Sequence, residues 1–125
     1  MVIYEEGEYT IRIDCIRPTE SLIPSDKLEE IAKHYDGGSI ESIESITGYM
    51  HNDQFYPDNG NKRALFLHLK EHKKVLAYIQ ENDPDEIADL VELAGKASRN
   101  GVNCIADLEH KIVNRDTYEI MIRDN

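Results

Sequence analysis

The sequence predicts an α+β fold, in which helices pack on a small mixed β-sheet and a mainly helical C-terminal tail follows. Three observations lead to this expectation. Residues 8–16 alternate between apolar and polar, residues 75–79 are a compact apolar run, and residues 83–86 carry several helix-start signals. Strands and helices therefore follow one another along the chain, which is typical of mixed folds.

The first predicted strand covers residues 8–16, because every second side chain is apolar and would lie on one buried face. A helix is predicted after Asp26, with Glu29 three residues later as the second half of a capping box. Apolar residues then recur at helical spacing until a pair of glycines ends the helix.

A β-hairpin is predicted next, from strands at residues 43–50 and 54–56 joined by a turn at residues 52–53. Residues 57–60, Pro-Asp-Asn-Gly, form a dense turn signal. Residues 62–72 are apolar nearly all round, which predicts a short helix that is buried on most sides.

The second half of the chain begins with the apolar run 75–79, which has the character of a central strand. The helix that follows is predicted to begin after Asp83 as N-cap and to end at residues 100–101, Asn-Gly. Residues 102–125 fit either helices, which we favour, or a hairpin that turns at residues 114–116.

Size and composition restrict the domain organisation. The 125 residues, 40% of them hydrophobic, predict a single domain, 1–125, with one core. Within it we place the sheet at residues 8–80 and a helical extension at residues 81–125. Cys15 and Cys104 lack the spacing of a zinc site and are expected to be buried thiols in a reducing compartment.

The net charge restricts the classes of molecule that the chain is expected to bind. The chain has 25 Asp and Glu against 14 Lys and Arg, a net charge of −11, which disfavours non-specific binding to DNA and to anionic membranes. No apolar stretch approaches the roughly 18 residues that a membrane span needs. The first residues lack the basic start and apolar region of a secretory signal. We therefore expect a cytoplasmic protein without membrane association.

The most informative segment for function is residues 55–66, where a strand passes through a turn into a helix. Gly60 would let a ligand approach the backbone, and the first N–H groups of the helix favour an anion. Arg63 can donate two hydrogen bonds to a phosphate, and Lys62 adds a point charge. Residues 61–74 carry a net charge of +4, whereas the rest of the chain sums to −15. The segment predicts a phosphate site, although ordinary helix capping and solvated lysines would give the same pattern.

The order of these elements resembles that of the ParB/sulfiredoxin superfamily over residues 8–80. In that family a strand leads into a helix, and a β-hairpin then runs into a Gly-x-x-Arg turn that opens the next helix, before an apolar strand. Many members have Asp-Gly-Asn-His-Arg or a similar string at the turn. This chain has Asn-Gly-Asn-Lys-Arg at residues 59–63.

This resemblance implies that the chain binds a nucleotide such as ATP or CTP, with Mg²⁺ as its companion ion. The phosphates would lie at Gly60, Asn61, Lys62 and Arg63. Hydrolysis or phosphoryl transfer is left open by the resemblance. The cysteine of the sulfiredoxins falls at Asn61, which excludes sulfiredoxin chemistry.

Two other groups of residues are candidates for chemistry. Glu29 and Glu30 lie on the first predicted helix, where either carboxylate could hold a magnesium-bound phosphate or act as a base, or simply face solvent. His68 and His72 have the spacing of a metal-binding pair on a helix. The residues between them lack the glutamate of an H-E-x-x-H motif and include a lysine, so we assign no metal site there.

The acidic composition supports a second hypothesis from a different class. The chain would be a non-catalytic interaction or regulatory protein that binds a basic partner protein or mimics DNA. Residues 81–92 are rich in carboxylates, which would form such a surface or merely a well-solvated helix face. Nucleotide binding separates the two hypotheses, because only the first one requires it.

Overall fold

A computed structural model describes residues 4–123, with side chains through residue 122. Its strands, in chain order, are β1 (Gly7–Arg12), β2 (Ile23–Pro24), β3 (Ile46–His51), β4 (Gln54–Asn59), β5 (Lys74–Ile79) and β6 (Ile112–Val113). Its α-helices are α1 (Ser25–Ala32), α2 (Asn61–Leu69), α3 (Pro84–Arg99) and α4 (Arg115–Arg123). Short 3₁₀ helices lie at Ile13–Cys15, Ile40–Ser42 and Ile105–Lys111.

Four of the strands form a mixed sheet in the order β1-β5-β3-β4. The β1–β5 and β3–β4 pairs are antiparallel, whereas β3 and β5 are parallel. The two remaining strands, β2 and β6, make a separate parallel pair. The sheet and the helices packed against it confirm the α+β prediction, and β5 is a central strand as expected.

The hairpin follows the prediction at its turn and departs from it at its end. Asn52 and Asp53 both have positive φ, 50° and 62°, the geometry of a tight two-residue hairpin turn. The turn predicted at residues 57–60 is wrong in its first three positions, because β4 continues through Pro57 to Asn59. A proline is tolerated there because β4 is the last strand of the four-stranded ladder.

The structure differs from the prediction at three further element boundaries. The first strand ends at Arg12 instead of continuing to residue 16, since a 3₁₀ helix begins at Ile13, whose N–H bonds to the Lys73 carbonyl at 2.9 Å. Asp26 caps no helix: Pro24 is the N-cap of α1, and the Asp26 carboxylate binds Arg115. Helix α2 ends at Leu69, three residues earlier than predicted.

The helical extension packs into the same hydrophobic core as the sheet. Ala97, Val102, Ile105 and Leu108 are each at most 2% exposed and belong to the main buried cluster. The C-terminal tail is mainly helical as expected, and Ile112 and Val113 pair with β2 instead of turning back as a hairpin. Residues 124–125 of the predicted tail lie outside the described residues. In the described part of the chain, no helix is long and apolar enough to cross a membrane.

Both cysteines carry free thiols and are half-buried. Partial burial, together with the nearby Asp14 carboxylate, raises the pKa of the Cys15 thiol. Cys15 therefore stays protonated at neutral pH. The prediction that both cysteines are buried is met only in part, because each side chain is half-buried.

The contact between α4 and α1 makes stability depend on pH. Arg115 donates hydrogen bonds of 3.1 Å from Nε and from Nη2 to the two Asp26 oxygens, and these hold the pKa of Asp26 below its usual value. A lowered folded-state pKa stabilises the protein above the unfolded pKa of about 4, and this stabilisation is lost as the pH falls through the folded value. We expect Asp26→Asn to be less stable than wild type at neutral pH, with the difference vanishing in acid.

Urea unfolding at about pH 7 and about pH 2.5 measures this difference on either side of the titration. Asp116→Asn on α4, an exposed carboxylate in the first turn of that helix, is the matched control. If Asp26→Asn lowers the free energy of unfolding by the same amount at both pH values, the Asp26–Arg115 pair is not the source of the pH dependence.

Candidate functional site

The predicted phosphate turn borders a cleft of about 590 Å³ between α1, the segment before β3 and the start of α2. Its charged residues are Lys27, Glu30, Glu44, Lys62 and Arg63. Its other lining residues are Ile31, His34, Ser42, Ile43, Asn59 and Gly60. The fold thus brings together three of the four residues predicted for phosphate binding, along with one of the two candidate glutamates.

Gly60 fits the role that the sequence predicts for it. Its φ of +119° lies in the region that side chains disfavour, and a Cβ placed on it would lie 2.4 Å from Cγ2 of Ile46. Only glycine allows β4 to turn into α2 this close to β3. The turn therefore brings the backbone to the edge of the cleft.

The start of α2 presents unpaired backbone donors. The first N–H bonded within the helix is that of Ala64, which donates to the Gly60 carbonyl at 3.0 Å. Among residues 4–123, no acceptor binds the N–H groups of residues 61–63, and no side chain caps the helix. These N–H groups and the positive end of the helix dipole favour an anion at this end of α2.

Arg63 is held by a carboxylate that is itself exposed. Its Nη1 lies 3.0 Å from Oε2 of Glu44, and the Arg63 side chain is 13% exposed whereas the Glu44 side chain is 85% exposed. The guanidinium is therefore fixed in the side of the cleft, and its partner can move into solvent at little cost. Arg63 retains donors beyond the one that Glu44 occupies.

The other two cations of the cleft are also paired. Lys62 binds Glu20 at 2.9 Å, and both side chains are about one-third exposed or less. Lys27 lies 3.4 Å from Glu30 on the same helix. The cleft therefore combines cations that suit phosphate with two carboxylates, Glu30 and Glu44, each paired with one of these cations.

Asn61 has a different place from the one predicted. Its side chain is 2% exposed, its Oδ1 accepts from the Thr19 N–H at 2.9 Å and its Nδ2 donates to the Thr19 hydroxyl at 2.9 Å. The Thr19 hydroxyl in turn donates to the Pro57 carbonyl at 2.7 Å. The Asn61 side chain therefore fastens the loop after residue 16 to the start of α2, and only its backbone N–H remains for a ligand.

We expect Asn61→Ala to lower the free energy of unfolding by about 2 kcal/mol, because the Thr19 N–H is left without its acceptor. Asn61→Asp keeps an acceptor for that N–H but removes the Nδ2 donor to the Thr19 hydroxyl. It therefore tests which of the two hydrogen bonds contributes to stability. Urea unfolding at neutral pH measures both variants. A loss below about 0.5 kcal/mol for Asn61→Ala would contradict the structural role.

Of the remaining candidate residues, Glu30 lines the cleft, whereas Glu29, His68 and His72 do not. Glu29 is exposed. His68 and His72 do not form a pair, since His72 lies beyond the end of α2 and binds the Tyr35 hydroxyl while His68 binds Glu109. No cluster of His, Cys, Asp and Glu suited to a metal ion occurs among the described residues.

Sequence reasoning missed Glu44, Glu20 and Lys27. Lys27 could have been found, because it lies three residues before Glu30 on the helix that carried the candidate glutamates. Glu20 lies in an irregular segment without a motif signal. Glu44 falls in the strand predicted from residue 43, but β3 begins only at Ile46, so Glu44 lies in the irregular segment before it. Their proximity to the cleft results from the fold alone.

Comparison with known proteins adds little to this geometry. No protein-family model and no curated protein matches the sequence. The crystal structure of protein Atu1540 from Agrobacterium tumefaciens is similar over 81% of this chain, with a TM-score of 0.48 and 17% sequence identity. The match covers 60% of the length of that protein.

Proposed function

We propose that this chain binds a phosphate-bearing ligand, specifically a nucleotide, in the cleft at the start of α2. The observation that carries the proposal is that a largely buried arginine, Arg63, and the unpaired N–H groups of a helix N-terminus border the same cleft. The N–H groups of residues 61–63 would bind phosphate oxygens, and Arg63 and Lys62 would balance their charge.

The remaining lining residues support a nucleotide with a divalent ion. Ile31 and Ile43 supply apolar surface that suits a base, and His34 and Ser42 supply polar groups beside it. Glu30 and Glu44 would oppose a bare polyphosphate but would favour one that carries Mg²⁺. We assign no reaction to the site.

Membership of the ParB/sulfiredoxin superfamily is part of the same proposal. Its support is the succession of the β3–β4 hairpin, the Gly60 turn, α2 and the apolar strand β5. This is the order of elements on which the resemblance rests.

The direct test is a thermal-shift and calorimetry panel of ATP, ADP, CTP and GTP, with and without Mg²⁺. We expect at least one nucleotide to raise the melting temperature through mass action, with a larger shift when Mg²⁺ is present. Absence of binding for all four nucleotides in both methods would overturn the proposal.

Glu44 gives a prediction specific to this site. In its present position the carboxylate competes with a phosphate for Arg63, so we expect Glu44→Gln to bind Mg²⁺-free nucleotide about three- to tenfold more tightly than wild type. Calorimetry in the presence of EDTA measures this change. Glu29→Gln is the matched control, because it removes the same charge outside the cleft. Equal affinity for Glu44→Gln and wild type would contradict the competition.

A specific observation also supports the second hypothesis. The first nine residues of α3 expose a set of carboxylates: Asp85, Glu86, Asp89 and Glu92. Such a surface suits a basic partner protein or DNA mimicry. This hypothesis predicts no response in the nucleotide panel and a salt-sensitive association with a basic protein.

A further inference from the structure

A second cleft, of about 540 Å³, shares Lys62 with the first one and lies between α3, α4 and the loop at residues 19–22. Its helical residues are Lys62, Leu93, Lys96, Ala97, Arg99, Tyr118 and Ile122. Apart from Lys62, no residue that lines this cleft has a role in the functions proposed above.

Apolar side chains of two helices are exposed along this cleft. Leu93 of α3 is 42% exposed and Ile122 of α4 is 46% exposed. Tyr118 lies one helical turn before Ile122 on α4 and also lines the cleft. Isolated exposed leucines are common on protein surfaces, but apolar side chains from two helices that line one groove are typical of docking sites.

The charge of the cleft is opposite to that of the chain. Three cations, Lys62, Lys96 and Arg99, line it together with one carboxylate, Glu20, which gives a net of +2 in a chain of −11. Lys62 and Glu20 bind each other, so Lys96 and Arg99 supply the excess positive charge. They also stabilise the C-terminal end of α3 through the helix dipole, a role that does not require the apolar groove beside them.

We propose that this cleft docks an acidic peptide segment of a partner protein, with apolar side chains of that segment against Leu93 and Ile122. Carboxylates of the segment would bind Lys96 and Arg99 at the rim, where charges set specificity and the rate of association. A second copy of this chain fits less well, because each copy carries −11 and their approach is opposed by repulsion. The observations behind this proposal do not depend on whether the first cleft binds a nucleotide.

The test is selection of a random 12-residue peptide library on the full-length wild-type protein, followed by fluorescence anisotropy with the enriched peptides. We expect the enriched peptides to combine carboxylates with large apolar residues. The double variant Lys96→Gln, Arg99→Gln should bind them at least about tenfold more weakly, and Leu93→Ser should also weaken binding. The affinity for wild type should fall as salt is added.

The matched control is Lys73→Gln with Lys74→Gln, which removes the same charge from exposed lysines that do not line this cleft. Melting temperatures of all variants verify that α3 remains folded. Enrichment without an acidic bias, or equal binding to wild type and the Lys96, Arg99 variant, would overturn the proposal. A wild-type dimer in sedimentation that Leu93→Ser dissociates would also overturn it, in favour of a second copy as the occupant.

Discussion

Replacing Arg63 with alanine should weaken nucleotide binding about 10- to 100-fold, the loss expected for a charge-assisted hydrogen bond to a phosphate, and should reduce the nucleotide-induced thermal shift accordingly. The fold should survive, because the partner left behind, Glu44, is 85% exposed and remains hydrated. Arg63→Lys should recover only part of the affinity, since lysine keeps the charge but loses the forked geometry.

Calorimetry with the best nucleotide of the panel measures the Arg63 variants, and circular dichroism confirms their fold. Arg12→Ala is the matched control, because Arg12 also pairs with a carboxylate, Asp14, but lies outside the cleft. Nucleotide binding that Arg63→Ala leaves intact would place the phosphates elsewhere, and the function proposed for this cleft would fail.

Gly60→Ala should lower the free energy of unfolding by about 3 kcal/mol, the sum of a strained backbone and an overpacked contact. Its φ is +119°, and the new Cβ would lie 2.4 Å from Cγ2 and 2.5 Å from Cβ of Ile46. Because Cβ of Ile46 is fixed to its backbone, no rotation of the side chain relieves this contact, and β3 or α2 must shift.

Gly101→Ala separates the two contributions for Gly60. Gly101 also has positive φ, +85°, but no atom lies within 4 Å of its added Cβ. Only backbone strain remains there, and we expect a loss of about 1 kcal/mol. Guanidinium unfolding at 25 °C measures both variants. Equal losses at the two positions would show that the Ile46 contact does not constrain the turn.

The parts of the fold that the sequence predicts well depend on neighbouring residues. The turn at residues 52–53, the N-cap of α3 at Asp83 and its end near Gly101 all follow from side chains within a few positions of the feature. The Gly60 turn belongs to the same class, since glycine before a helix is a local signal. These features were found because their physical causes are local.

The features that sequence reasoning missed join residues far apart. Thr19 and Asn61 are 42 positions apart, and Asp26 and Arg115 are 89 apart. The local pattern predicts a capping box for Asp26, and the resemblance includes Asn61 in the phosphate turn, yet the side chains of both residues have distant tertiary partners. The Glu44 carboxylate reaches Arg63 for the same reason, because only the folded sheet brings the segment before β3 to the start of α2.

The Asp26–Arg115 pair joins elements that border different clefts. Asp26 belongs to α1, which lines the first cleft through Lys27, Glu30 and Ile31, whereas Arg115 begins α4, which lines the second. Helix α1 has no fully buried residue, and this ion pair adds to the contacts that its half-buried Leu28 and Ile31 make with the core. A segment that displaced α4 would therefore change the affinity of the first cleft, and thermodynamic linkage requires the nucleotide to change the affinity for that segment by the same factor.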